Sequence, residues 1–154
     1  MVFKRVGIAS DHAGKELKHI VLDYMKLISI EVTDYGINLE TERSVDYPDY
    51  AELLAKDLSS GKIDGAIAIC GTGLGMAITG NKFRGIRATP VWDEYSCRLS
   101  RQHNNSNMLC LGGRTMNHQR AAELTKLWLE TTFLGDRHTV RLEKIASIEQ
   151  KTYQ

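Results

Sequence analysis

The sequence has few cysteines, almost no proline and no pair of closely spaced thiols. Its 154 residues include three cysteines and two prolines. Cys70, Cys97 and Cys110 leave one thiol unpaired and form no C-x-x-C motif, which argues against a disulfide framework and a thiolate zinc site. Histidines spaced as H-x-x-x-H are also absent, so we predict no metal site. A chain of this kind is expected in a reducing cytoplasm.

The sequence also lacks an excess of charge and a long hydrophobic run. Its formal net charge is +1 at pH 7, so no bulk electrostatic field indicates nucleic acid or a membrane surface as a partner. No segment reaches the roughly 18 apolar residues of a membrane span, and the first residues are too weakly apolar for a signal peptide. We therefore expect neither nucleic acid nor a membrane as partner.

What is present is a regular alternation of strand-like and helix-like segments. Apolar runs predict strands at 6–9, 30–33, 65–69, 87–91 and 108–111. Amphipathic periodicity predicts helices between them, at 15–28, 50–58, a short one through residue 78, 95–101 and 118–133. Parallel strands need crossover connections. The pattern therefore predicts one α/β domain over residues 1–154, a three-layer α/β/α sandwich with a five-stranded, parallel, Rossmann-like sheet.

Two details of the helices can be predicted from periodicity. Ile20 and Leu27 fall on the apolar face of the first helix, and Lys18 falls on its polar face, so we expect the two apolar side chains inside and the lysine outside. The segment after Gly135 is basic at first and then only weakly helical in pattern.

The stretch DGAIAICGTGLGM at 64–76 is the strongest candidate for a functional site. A buried strand ends at Cys70, and Gly71, Gly73 and Gly75 follow at alternate positions. Ligands bind at the carboxyl ends of parallel strands, and glycine amides can form an anion-binding nest. The spacing matches neither the dinucleotide fingerprint nor the P-loop. A plain tight turn and an inert thiol remain equally compatible with these residues.

Other polar residues also fall near predicted strand ends. Asp11 and His12 follow the first strand, where they can provide acid, base and anion contacts. His103 and Asn104 precede the last strand, so we expect them to reach a sheet edge. Isolated histidines in loops are more often surface or capping residues.

A compact basic cluster follows residue 135. Arg137 and Arg141 flank His138 and, four positions apart, share one helical face. Arginine forks suit a phosphate dianion, and Arg114, after the last strand, could join them. A solvated basic surface is the alternative interpretation.

Six segments taken together resemble the type B ribose-5-phosphate isomerases, a family that includes galactose-6-phosphate and allose-6-phosphate isomerases. They run in order from residue 6 to 145 and read IASDHAG at 8–14, SVDYPDYA at 44–51, CGTGLGM at 70–76, NKFRGIRA at 81–88, RQHNNSNML at 101–109 and GDRHTVRLEKI at 135–145.

The resemblance implies a cofactor-free aldose–ketose isomerase that works through a cis-enediolate. It assigns a role to each matching residue: Cys70 as the base between C1 and C2, the amides of Gly71, Gly73 and Gly75 on the enediolate oxygen, Thr72 in proton movement between the oxygens, His103 in opening the furanose ring, Asp11 and Asn104 on sugar hydroxyls, and His12, Arg114, Arg137 and Arg141 on phosphate.

The resemblance further implies strand order 2-1-3-5-4 and a homodimer, or a tetramer, with shared active sites, in which the tail at about 135–154 reaches a partner subunit. Ribose 5-phosphate is the expected substrate. Allose 6-phosphate, galactose 6-phosphate and erythrulose 4-phosphate remain alternatives within the same chemistry. A non-catalytic phosphosugar-binding protein and a nucleotide-binding flavodoxin-like domain are the alternatives outside it.

Overall fold

Five parallel strands form a single sheet in the computed structural model, which describes residues 2–152. Residues 1, 153 and 154 of the predicted domain and tail lie outside the described part. The strands lie in the order β2-β1-β3-β5-β4, as the resemblance implied, and the predicted α/β fold is confirmed. Their bounds are β1 Arg5–Ser10, β2 Glu31–Asp34, β3 Gly65–Cys70, β4 Ala88–Pro90 and β5 Met108–Gly112.

Six helices accompany the sheet within residues 2–152. Their bounds are α1 Lys15–Leu27, α2 Tyr47–Ser59, α3 Leu74–Gly80, α4 Glu94–Gln102, α5 His118–Glu130 and α6 Arg137–Thr152. Side chains of α1, α4 and α5 pack on one face of the sheet, and those of α2 and α3 pack on the other. Among residues 2–152, no helix has the length and apolar character needed to cross a bilayer.

The burial of the central strand β3 explains why its own sequence is an unbroken apolar run. All six of its residues are buried, as expected for a parallel strand covered on both faces. Ile67 and Ile69 face α1 and α5, whereas Cys70 belongs to the core facing α2 and α3.

The prediction for the faces of α1 was wrong at three positions. Lys18 is only 4% exposed, and its Nζ lies 2.6 Å from a carboxylate oxygen of Asp34. Ile20 and Leu27 are exposed. The buried stripe instead follows i, i+4 and i+8 positions through Leu17, Val21 and Met25, and Lys18 is buried beside it because β2 ends in a carboxylate that pairs with its charge.

Helix α6 is far more regular than the predicted weakly helical tail. It runs for 16 residues, and His138 is its one buried residue. The Leu134 N–H donates to the Gln102 carbonyl at 3.1 Å, and the Glu149 carboxylate accepts the Gly85 N–H at 2.9 and 3.0 Å. The first contact joins the segment before the helix to the end of α4, and the second places the helix beside the loop before β4, which sequence periodicity alone could not indicate.

Candidate active site

Two polar turns meet at the carboxyl edge of the sheet. Ser10 at the end of β1 pairs with Ile69 of β3, and the Asp11 N–H donates to the Ile69 carbonyl at 3.2 Å. Cys70 is the next residue, so the turn after β1 and the glycine loop after β3 share one crevice. This placement of Asp11 and Cys70 at neighbouring strand ends follows from the strand order that the family resemblance implied.

The thiol of Cys70 is held by the loop that follows it. Cys70 is 4% exposed, and its Sγ accepts the Gly73 N–H at 3.2 Å. Gly73 has φ of 80°, and a Cβ there would lie 3.1–3.2 Å from backbone atoms of Cys110 and Leu111. Only glycine takes this conformation readily. The Gly73 amide therefore holds the sulfur at the start of the glycine loop.

The end of β5 closes the crevice on its other side. The Gly113 N–H donates to the Cys70 carbonyl at 2.8 Å, and the Arg114 N–H donates to the Gly71 carbonyl at 3.0 Å. A Cβ on Gly71 would contact the Arg114 side chain at 3.6 Å. Arg114 therefore lies on the glycine loop and does not line the cleft of the tail arginines described below.

Asp11 is a carboxylate with little access to water. Its Oδ1 accepts the N–H groups of Ala13 at 2.9 Å and Gly14 at 3.1 Å, and the residue is 5% exposed. Burial raises the pKa of Asp11 above its usual value, against the opposing effects of the two amides, His12 and Arg114. A buried acidic group in a crevice is typical of a functional site.

The loop before α2, together with the first residue of that helix, forms a wall of the crevice. His12 Nδ1 lies 3.1 Å from the Val45 carbonyl oxygen and 3.2 Å from the Val45 amide nitrogen. A Cβ on Gly75 would lie 2.6 Å from the ring of Tyr47, so this ring covers the glycine loop. Sequence reasoning missed Tyr47; an aromatic residue directly before Pro48, in a polar loop, was the only available signal.

A second group of polar side chains surrounds a cleft of about 350 Å³, which we call the basic cleft. His103 and His138 stack in it, with ring centroids 4.0 Å apart and an interplanar angle of 13°. The sequence interpretation had placed His138 in the basic cluster without giving it a role. The lining residues are His103, Asn104, Arg137, His138 and Arg141.

The basic cleft and the Cys70 crevice lie at opposite ends of the parallel strands. Arg87, just before β4, donates from Nε to the Asn104 carbonyl at 3.0 Å, and the Asn107 carbonyl accepts the Ala66 N–H at 2.9 Å. The loop containing His103 and Asn104 therefore lies at the amino ends of the strands. Ala66 and Cys70 are four residues apart, a rise of about 13 Å.

His103 and Asn104 thus lie where strands end, as expected, but at the amino ends of the strands, away from Cys70 at a carboxyl end. The reason is topological: a crossover helix begins near the carboxyl end of one strand and ends near the amino end of the next. One chain therefore does not bring all the predicted site residues together.

The other two thiols, one in a helix and one in a strand, are buried. Cys97 and Cys110 are both 0% exposed. Burial raises the pKa of Cys97 to about 12, and it raises the pKa of Cys110 still further. Across residues 2–152, no three histidine, cysteine, aspartate or glutamate side chains are grouped as metal ligands.

Comparisons with known proteins agree in pointing to one family. The family model described as "Ribose/Galactose Isomerase" matches residues 6–145. Ribose-5-phosphate isomerase B of Escherichia coli is 41% identical and covers 96% of this chain and 98% of its own length. The D-erythrulose-4-phosphate isomerase of Pectobacterium atrosepticum is 36% identical, with 95% of each chain covered.

Solved structures show the same similarity. Ribose-5-phosphate isomerase B of Clostridium thermocellum superposes with a TM-score of 0.92 at 43% identity, covering 96% of this chain and 98% of its own. The Mycoplasma genitalium enzyme, solved with bound ribulose-5-phosphate, gives a TM-score of 0.91 at 37% identity and covers 96% of this chain and 97% of its own.

Proposed function

Because the chain belongs to the ribose/galactose isomerase family and is a sugar phosphate isomerase, we propose that it interconverts ribose 5-phosphate and ribulose 5-phosphate, with Cys70 as the base. The observation that carries this proposal is the Cys70 thiol, held by the Gly73 amide beside the buried carboxyl of Asp11. The relative solved with ribulose-5-phosphate supports the five-carbon sugar.

The chemistry requires a base and a stabilised oxyanion. The Cys70 sulfur takes a proton from one of the two carbons and returns it to the other, while negative charge develops on the enediolate oxygen. The Gly73 amide is engaged by the sulfur, so we assign the oxyanion chiefly to the amides of Gly71 and Gly75, with Gly73 turning to it once the sulfur is protonated. A preorganised donor of this kind contributes about 3 kcal/mol.

Proton movement between the two oxygens is assigned to Thr72. Its Oγ1 accepts the Leu74 N–H at 3.3 Å, which leaves the hydroxyl proton available to the substrate. Asp11 and Asn104 are assigned to sugar hydroxyls, and His103 to opening the furanose ring.

A second copy of the chain is part of this proposal. His103, Asn104, Arg137 and Arg141 line a cleft at the edge of the sheet opposite Cys70, so a partner subunit must present its basic cleft to the crevice. Phosphate would then lie between the partner's arginines and this chain's His12 and Arg114. Exposed apolar side chains are available for such an interface on α3 and α6: Leu74, Ile78, Ile145 and Ile148.

Replacing the base tests the proposal directly. Cys70→Ala should abolish turnover of ribose 5-phosphate and leave binding of the sugar phosphate measurable by calorimetry, because the phosphate contacts lie elsewhere. Cys97→Ala, which removes a buried thiol outside the crevice, is the matched control and should remain active. A fully active Cys70→Ala enzyme would rule out the proposed base.

A different sugar phosphate is the second candidate, favoured by the relative named D-erythrulose-4-phosphate isomerase. Values of kcat/KM for four-, five- and six-carbon aldose phosphates separate the candidates, and the proposal requires the five-carbon substrate to rank first. A non-catalytic phosphosugar-binding protein would instead bind these compounds without exchanging their hydrogens with solvent.

A further inference from the structure

His138 is the buried member of the basic cleft. It lies in the first turn of α6 and is 7% exposed, whereas His103 is less buried and caps the carboxyl end of α4. Their rings are nearly parallel, 4.0 Å apart. Stacking of this geometry fixes the plane of the more exposed ring, and neither the family resemblance nor the motif spacing gave His138 a task.

We propose that His138 is a positioning residue, which holds the His103 ring in the orientation for opening the sugar while its own ring stays neutral. This inference rests on the proposed function, because it assigns His138 a role only through His103.

The charges around the two rings support a neutral His138 beside His103. Burial is the main cause that lowers the pKa of His138, followed by the charges of His103, Arg137 and Arg141; only Asp136 acts in the opposite direction. Two imidazolium rings stacked at 4.0 Å would repel each other strongly. A neutral His138 avoids this repulsion.

The orientation of the His103 ring matters for ring opening. The bond between C1 and the ring oxygen breaks, the ring oxygen gains a proton from His103, and the C1 hydroxyl loses its proton to solvent as the carbonyl forms. The step is neutral overall, but it needs a proton donor in line with the ring oxygen. A misplaced donor costs general acid–base catalysis a large part of its effect.

Two substitutions separate positioning from binding. For His138→Leu, which removes the stack, we expect kcat for ribose 5-phosphate to fall by about tenfold with KM nearly unchanged. Exchange of the C1 hydrogen of ribulose 5-phosphate with deuterium oxide should stay within about twofold of wild type, because this open-chain ketose needs no ring opening. His138→Phe keeps a flat ring in place and should retain most of the turnover.

The control is His19→Leu, on the exposed side of α1, where the side chain is 52% exposed; it should match wild type in both assays. Unchanged turnover in His138→Leu, or equal losses of turnover and C1 exchange, would overturn the role of His138. A wild-type enzyme that neither isomerises ribose 5-phosphate nor exchanges C1 would instead overturn the proposed function itself.

Histidine titration by NMR tests the neutral state of His138 without a substitution. As pH falls, the His138 ring of the wild-type protein should take up its proton at a lower pH than an ordinary histidine, because burial lowers its pKa. A raised pKa for His138 would overturn its role as the neutral member of the stack, whatever the folding behaviour of the variants.

Discussion

Cys70 differs from the two other cysteines in what surrounds its sulfur rather than in how deeply it is buried. All three thiols are buried, but only Cys70 accepts a loop amide at the open end of a strand. The Cys97 sulfur instead donates to the Leu124 carbonyl at 3.3 Å inside the core. Among the three thiols, the hydrogen-bond partner of the sulfur and its position in the sheet distinguish Cys70, whereas burial does not.

Asp11 should cost the protein stability at neutral pH. Its folded-state pKa is raised above the unfolded value of 3.8, so the folded state holds the proton more tightly, and the stability from this group is lost as pH rises through the folded pKa. Asp11→Asn keeps an oxygen for the Ala13 and Gly14 amides. We expect a larger free energy of unfolding at pH 7 and a higher KM.

Urea unfolding at pH 7 and at pH 3.5 measures this effect, and the stability difference should shrink at the lower pH, where the wild-type carboxyl is neutral as well. Asp23→Asn on the exposed side of α1 is the control. A less stable Asp11→Asn protein at pH 7 would show that the buried charge is compensated in the native state.

Sequence reasoning identified the residues whose chemistry is visible in a motif, such as Asp11 and Cys70. It gave His138 no role and missed Tyr47, because what distinguishes these two residues is the side chains and loops that they touch. Such contacts join segments far apart in sequence, and periodicity carries no information about them.

Among the elements, α4 depends on a buried cation that the sequence did not reveal. Arg101 is 2% exposed and donates to the carbonyls of Thr131 and Ser106. Its guanidinium lies 4.7 Å from the Phe3 ring centroid and 5.6 Å from that of Trp128, and burial lowers its pKa to about 10. This side chain fixes the end of α4 from which the loop with His103 leaves.

Arg101→Met should therefore destabilise the protein by about 3 kcal/mol, because it leaves two buried carbonyl oxygens without donors and removes a cation–π contact. The free energy of unfolding in urea measures the loss. Arg98→Met, on the exposed side of the same helix, should change stability by less than about 0.5 kcal/mol. Equal effects of the two substitutions would contradict the structural role of Arg101.

The turn into α3 depends on Gly73. A Cβ at φ of 80° would be strained and close to the backbone of β5. Gly73→Ala should cost about 1–2 kcal/mol of stability and, by moving the amide away from the Cys70 sulfur, most of the turnover. Gly61→Ala is the control, since Gly61 has φ of 75° but open space around it. Gly61→Ala should lose stability but keep its turnover. If Gly73→Ala also kept its turnover, the Gly73 amide would have no role at the sulfur.

At the scale of the whole molecule, alternation of strands and helices was enough to predict the parallel sheet, and the strand order followed from the family resemblance. The placement of some polar residues at the carboxyl ends of the strands and of others at the amino ends was not predicted. A histidine before a strand and a cysteine after one both read as strand-end residues, and only the topology shows that these ends are opposite. The length of α6 was missed because its outer face is exposed and carries no clear apolar stripe.

Under the proposed function, the active site is divided between two places on the chain. The crevice provides the proposed base and oxyanion donors, and the basic cleft provides the proposed ring-opening histidine and two arginines. In the proposed twofold dimer, each crevice would meet the partner's basic cleft and form two identical sites. An independent site in each chain would require the crevice and the basic cleft of the same chain to meet, although about 13 Å of strand separates them.

A heterodimer of two inactive variants tests this arrangement most directly. One chain carries Cys70→Ala and the other His103→Leu, with different affinity tags for purification of the mixed species. If the sites are shared between subunits, one site of the heterodimer has both substitutions and the other has neither, so the specific activity should be about half that of wild type. If each chain forms its own site, both sites are damaged, and a heterodimer as inactive as its two parents would contradict the shared active site.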